Sequence, residues 1–400
     1  MNAKTCSPWK WGLFLFTLPI VTGCGSAVKR IVVTNPLPID RQSETVAIRL
    51  ADLKDFTAGS APEALTIKEA ASKQAFVRQL LDYDQDGTPD ELIFQVDIRA
   101  KEQKKYLLTK APKGASEPPK PERATFSRFV PERIDDYAWE NDRVAFRTYG
   151  PEAQRLVEEK QPGGTLSSGI DLWLKRTPYP VIEKWYAGHL DSAGFYHVDH
   201  GEGYDPYHVG ASRGTGGAGV WLDGNLLAGK NFIRYRTIAT GPIRTVFELD
   251  YAPWSPYGIQ ETKRISLDLG SNFSKFEVRL NAQQAPPNYT LGITLHDGRG
   301  EPRLNREEGW FRHWEPIDDS FVGEGIVLDP GLVDNALVHR SQTPDQSQIL
   351  IATRPPNGML TYYAGFAWLK SGQVTSVEDW EAMLKKQAQC LAQPLQIKIE

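Results

Sequence analysis

Cysteine is scarce in this chain: three residues in 400, at positions 6, 24 and 390. That number excludes a disulfide scaffold, and Cys390, at the end of an amphipathic run, reads as a buried inert thiol rather than a nucleophile. Excess charge of one sign is also lacking. Lys and Arg number 46 against 50 Asp and Glu, for a formal charge of −4. This excludes a basic footprint for nucleic acid, and with 40% hydrophobic residues it excludes a disordered polar chain. No apolar run reaches the length of a membrane span, and no repeat of fixed period is evident.

What is present at the N-terminus points to export. Met1 to Lys10 carries Lys4 and Lys10 and no acid, and Trp11 to Val21 is a short apolar run, as in a signal peptide. The run ends in Val21-Thr22-Gly23-Cys24, which resembles the bacterial lipobox, so residues 1–23 are expected to be removed and Cys24 lipidated. The expected location is the bacterial cell envelope, lipid-anchored, facing the periplasm or the cell surface. The alternative is ordinary secretion with an incidental cysteine.

Glycine (34), proline (28) and the aromatic residues (11 Trp, 15 Tyr, 16 Phe) make the remainder turn-rich and β-rich. Strands are expected at 30–34, 45–49 and 92–96, and within 65–81 short strands are favoured over the helix that Ala70, Ala71 and Ala75 permit. Pro112, Pro118, Pro119 and Pro121 mark a linker that divides an N-terminal β region, 24–120, from a larger portion, 121–400. In that portion apolar runs at 143–149, 180–186, 232–238, 244–251, 262–269 and 276–280 predict the strands of a large antiparallel sandwich. Ser376 caps a predicted helix running to about Ala392, with Trp380, Met383, Leu384 and Leu391 on one face, and Leu395 to Ile399 reads as a closing strand.

Two clusters could carry chemistry. Asp82, Asp84, Asp86 and Asp90 surround Gly87, a pattern that converges oxygens on a structural Ca²⁺. Ile93 stands where an EF-hand needs Glu, so a turn entering a strand is expected; the competing reading is a solvated acidic turn. Four of the seven histidines fall at 189, 197, 200 and 208, in an irregular Gly/Asp/Pro stretch that also holds Tyr204, Tyr207 and Arg213. Histidine and tyrosine supply a base and an acid, and Arg213 can hold a carboxylate. The same groups could instead be one another's packing partners, and His197, His200 and His208 could bind zinc, although not in the helical spacing of zinc enzymes. Gly214 to Gly219 lacks the Lys and Ser/Thr of a phosphate loop. Trp139, Glu140, Arg147, Tyr149, Arg234, Glu308, Trp310 and Trp314 are further groups suited to sugar rings and acidic sugars.

Asp84-Gln-Asp86-Gly-Thr-Pro-Asp90, Trp139-Glu140-Asn141-Asp142-Arg143, Ser168-Gly169-Ile170-Asp171-Leu-Trp173 and the stretch His197 to Gly219 resemble the domain of unknown function 4861 family. The stretches Gly241 to Glu248 and Thr262 to Asp268 are similar to the galactose-mutarotase-type supersandwich. The resemblance implies an exported carbohydrate-utilisation protein with a mainly β supersandwich fold. It further implies a lyase or dehydratase acting by β-elimination on uronic-acid-containing oligosaccharides.

For that reaction His200 or His208 would be the base, and Tyr204 or Tyr207 the acid. Arg213 and Arg147 would clamp the carboxylate, with His197 and Trp139 also contacting substrate, and no cofactor is expected for catalysis. A mutarotase or glycoside hydrolase, with Glu202, Glu140 or Glu308 as its carboxylate, and a non-catalytic glycan-binding lipoprotein are the alternatives.

Overall fold

β-Branched and aromatic residues alternate with polar ones along short segments, and the described residues accordingly fold mainly as strands. The computed structural model describes residues 1, 28–58, 61–111 and 119–400. The proposed leader, Cys24 and much of the proline-rich linker lie outside the described residues.

Two small antiparallel sheets form at the N-terminal end. One contains Lys29–Thr34, Gln103–Lys110, Leu65–Glu69 and, from the far end of the chain, Gln396–Ile399; the other contains Arg41–Arg49, Glu91–Ile98 and Arg78–Leu81. Ile31, Val33, Val46, Ile48, Leu92, Phe94 and Tyr106 form their shared core. Ile31 pairs with Ile399, so the last strand completes the first sheet instead of closing the large portion.

The larger portion is an antiparallel supersandwich. Its eight-stranded sheet runs in the order Phe232–Thr240, Arg244–Tyr251, Gln260–Asp268, Phe273–Asn281, Met359–Trp368, Ser320–Leu328, Trp310–Ile317, Glu301–Asn305. Against it lie two five-stranded sheets. One includes Thr215–Leu222, Tyr289–Thr294 and Gln348–Thr353; the other includes Asp136–Glu140, Ala145–Thr148 and Asp171–Lys175. Phe247, Ile265, Phe276 and Tyr362 from the large sheet meet Val220, Leu291, Ile351, Tyr137, Phe146 and Leu172 from the others in one continuous core.

The predicted strand at 180–186 is instead the start of a helix, Ile182–Asp191. Ile182, Trp185 and Tyr186 recur at helical spacing and pack on Trp173 and Tyr196. The buried carboxylate of Glu140 accepts hydrogen bonds from the amides of Val181 and Ile182 at 2.9–3.0 Å, which holds the helix N-terminus.

The C-terminal helix, Val377–Ala392, is capped by Ser376 as its sequence implies. Its Trp380 and Leu384 are buried with Phe273, Trp310, Val327 and Ala367 on the outer face of the large sheet.

Candidate functional site

The alternation of a strand places His313 and Glu315 on one face of Trp310–Ile317, and the ladder sets Glu324 of Ser320–Leu328 directly opposite His313. His296 arrives from the facing sheet, just beyond Tyr289–Thr294, with a left-handed φ of 38° that is unusual for a non-glycine residue. One ligand-type atom from each of these four side chains lies within 4.8 Å of the others. His296 Nδ1 is 2.8 Å from Glu315 Oε1 and 3.6 Å from Glu324 Oε1, and His313 Nδ1 is 3.7 Å from Glu315 Oε2. His313, Glu315 and Glu324 are buried. His296 keeps 19% of its side chain exposed, so the cluster reaches the surface on one side.

Tyr207 covers that side. Its ring stacks on His296 with centroids 4.1 Å apart, and its hydroxyl donates to Glu315 Oε1 at 2.6 Å. The Thr215 hydroxyl donates to Glu324 Oε2 at 2.9 Å. Burial, together with the nearby Glu315 charge, pushes Glu324 up to about 8 despite His296. Burial also pulls His313 down to about 4. Burial acts downward on His296 too, but the charges of Glu324 and Glu315 outweigh it and the net shift is upward. Glu315 moves the other way: its hydrogen bonds and the neighbouring imidazoles overcome burial and hold it below the usual carboxylate range.

A match to the family model described as "Domain of unknown function (DUF4861)" covers residues 33–397. The chain belongs to this family. The uncharacterized protein P7 of Formosa agariphila is 41% identical over 393 residues, spanning 97% of this chain and 98% of that one. Two solved structures from Enterococcus faecalis are similar in shape: a glycosyl hydrolase family 38 protein at 10% identity and an α-mannosidase at 9%, each with a TM-score of 0.49. They cover 93% of this chain, which spans about half their length, 47% and 46%.

Of the site residues expected from sequence, this member of family 4861 brings only Tyr207 into the cluster. Tyr204 donates to Asp318 and lies 5.9 Å from the Trp368 ring. The loop histidines do not converge. His189 stacks on Tyr196, His197 binds the Asp205 carbonyl at 2.9 Å, His200 stacks on Phe195 and contacts its carbonyl at 3.2 Å, and His208 is exposed.

Arg213, expected as a clamp, is 1% exposed, and its guanidinium donates to Ser168 Oγ and to the carbonyls of Ala211 and Ala218. Burial lowers it to about 10. Arg147 is likewise buried, held by Asp171 and Asp205 at 2.6 and 2.7 Å. Trp139 is wholly buried and donates to Ser274 Oγ at 2.9 Å, so it packs the core and offers no face to a sugar.

The carboxylates considered for hydrolysis are engaged as well. Glu140 pairs with Lys175 at 2.6 Å, Glu202 with Lys184 at 2.8 Å, and Glu308 accepts from Trp310 at 2.7 Å.

His296, His313, Glu315 and Glu324 escaped the sequence reading because they come from three separate segments, two of them opposed only through the sheet register. The one local trace was His313-x-Glu315 within an alternating strand.

In the acidic loop, oxygens of Asp82, Asp84 and Asp86 lie within 4.8 Å of one another. They also bind the loop's own amides: Asp82 accepts from Gln85 and Gly87 at 2.7 and 2.8 Å, and Asp86 from Thr88 at 2.7 Å. Asp90, expected as a fourth ligand, turns to the amide of Tyr83 at 2.7 Å and stands outside the trio.

Proposed function

We propose that this protein is a carbohydrate-active lyase or dehydratase that performs β-elimination on uronic-acid units of oligosaccharides. The observation that carries the reading is the half-buried Tyr207, whose hydroxyl is held by Glu315 and whose ring is stacked on His296. Turned from Glu315 toward a departing oxygen, this phenol can give that oxygen its one hydroxyl proton, and the bond to Glu315 keeps it at the site until then.

Tyr207 is preferred to Tyr204 as the acid because it alone joins the imidazole and carboxylate cluster. His208 is preferred to His200 as the base because it is exposed beside Tyr207 in sequence, whereas His200 is occupied by Phe195. In the step, His208 takes the C5 proton, the C4–O bond breaks as the C4=C5 double bond forms, and Tyr207 protonates the leaving oxygen.

The test is incubation with acidic oligosaccharides, followed by mass spectrometry and ultraviolet absorbance. Products carrying a double bond conjugated to the carboxylate are expected, with Tyr207→Phe slower by about 10²-fold or more. Products with a free reducing end and no such absorbance would instead indicate hydrolysis, and full activity in Tyr207→Phe would remove the assigned acid.

A further inference from the structure

The His/Glu cluster holds more unmet polar capacity than any proton arrangement accounts for. His296 Nδ1, both ring nitrogens of His313 and Glu324 Oε1 are buried without a hydrogen-bond partner among the described residues. The 2.8 Å approach of His296 to Glu315 is close but not aligned as a hydrogen bond. Each such group left unpaired loses its hydration without replacement, and native interiors seldom collect several at one point.

We propose that His296, His313, Glu315 and Glu324 together bind one divalent first-row transition-metal ion, with zinc the best-matched. Two imidazoles exclude the hard cations that prefer an all-oxygen shell, and two nitrogens with two carboxylate oxygens form a four-ligand set suited to tetrahedral zinc. Bond lengths of about 2.0–2.1 Å place tetrahedral ligands about 3.3 Å apart. His296 Nδ1 lies 2.8 Å from Glu315 Oε1 and 3.6 Å from Glu324 Oε1, and His313 Nδ1 lies 3.7 Å from the other Glu315 oxygen, distances on either side of that value.

The surroundings are those of a metal site. Tyr207 and Thr215 each bind a carboxylate oxygen and orient it. Gly300 lies against the His313 ring, where an added Cβ would sit 2.1 Å from Nε2, so the imidazole occupies space that no other residue type would leave.

This site is inferred from donor chemistry and stands whether or not the reaction is elimination. If elimination is the reaction, the ion would bring positive charge near the substrate that the internally engaged Arg213 and Arg147 do not.

The experiment reads metal and not turnover. The protein is stripped with EDTA and titrated calorimetrically with ZnCl₂, and with CaCl₂ as a comparison, since Asp82, Asp84 and Asp86 remain the expected calcium ligands. Cobalt(II) loading is followed by visible d–d absorption. One zinc equivalent is expected, weakened about 100-fold or more in Glu324→Gln and His313→Gln and unchanged in Asp84→Asn.

Absence of stoichiometric zinc binding, or equal binding by the Glu324 and His313 variants, overturns the proposal. Should those variants fail to fold, X-ray absorption on the zinc-loaded wild-type protein decides: two imidazoles in the shell sustain the site, and an imidazole-free shell refutes it.

Discussion

Arg147 is outnumbered. One buried guanidinium meets Asp136, Asp171 and Asp205, with Tyr196 completing its contacts, and its plane lies 5.2–5.4 Å from the rings of Tyr149, Trp173 and Tyr196. Sequence showed Arg beside Tyr and suggested a sugar-acid clamp; only the fold shows that three internal carboxyls already use that charge. The imbalance has a titration consequence at Asp136. Burial raises it to about 6 despite the opposing charges of Arg147 and Arg133. A carboxyl whose folded value lies above its unfolded value stabilises fully below the unfolded value near 4, and loses that contribution as pH rises through about 6. Asp136→Asn cannot ionise. The stability of the wild-type protein relative to this variant is therefore expected to fall by on the order of 2–3 kcal/mol between about pH 4 and pH 7. Urea unfolding of both proteins across that range checks it, and a constant difference would show that Asp136 titrates in the folded protein as it does in the unfolded chain.

Within a single element, the strand Ser320–Leu328 serves two faces. Glu324 points to the metal-type cluster, while Gly323 and Gly325 on either side leave room for the C-terminal helix. A Cβ on Gly323 would lie 2.4 Å from Trp380 Cδ1, and one on Gly325 would lie 2.5 Å from a Leu384 methyl. The helix was legible in sequence because cap, first-turn acids and apolar spacing agree; its docking surface was not, since two glycines in a strand do not name their neighbour. The helix at Ile182–Asp191 was missed for a related reason. Its apolar residues suit either period over so short a run, and the deciding partner, Glu140, lies far away in sequence. Gly323→Ala is expected to cost about 1–3 kcal/mol by overpacking, and Trp380→Ala about 3–5 kcal/mol by leaving a cavity. Because Trp380 is the group the new methyl meets, the two changes should be strongly non-additive, with Gly323→Ala nearly neutral in the Trp380→Ala background. A double-mutant cycle by thermal or urea unfolding measures the coupling, and additivity would mean that the helix shifts freely on the sheet.

At the scale of the whole molecule, the β class, the strand sequence and the terminal helix could be read from alternation, turns and caps, since those signals are local. The stacking of three sheets and the return of Gln396–Ile399 to the first strand could not, because register between distant segments leaves no mark in either one. That return bears on the proposed anchor. Lys29–Thr34, the first described strand, is held on one edge by Gln103–Lys110 and on the other by Gln396–Ile399. Cys24 precedes it by only five positions, a reach of at most about 18 Å if fully extended. A diacylglyceryl group on Cys24 would therefore keep the N-terminal sheets close to the bilayer. Among the described residues no helix is long and apolar enough to cross a membrane. Two acyl chains anchor stably where one does so only marginally, and both depend on the one thiol chemistry at Cys24. Wild-type protein expressed in a bacterial host is accordingly expected in the detergent phase on phase separation, and Cys24→Ala in the aqueous phase or retained as an unprocessed precursor. Processed Cys24→Ala that still enters the detergent phase would show that the chain is held at the membrane by something other than this lipid.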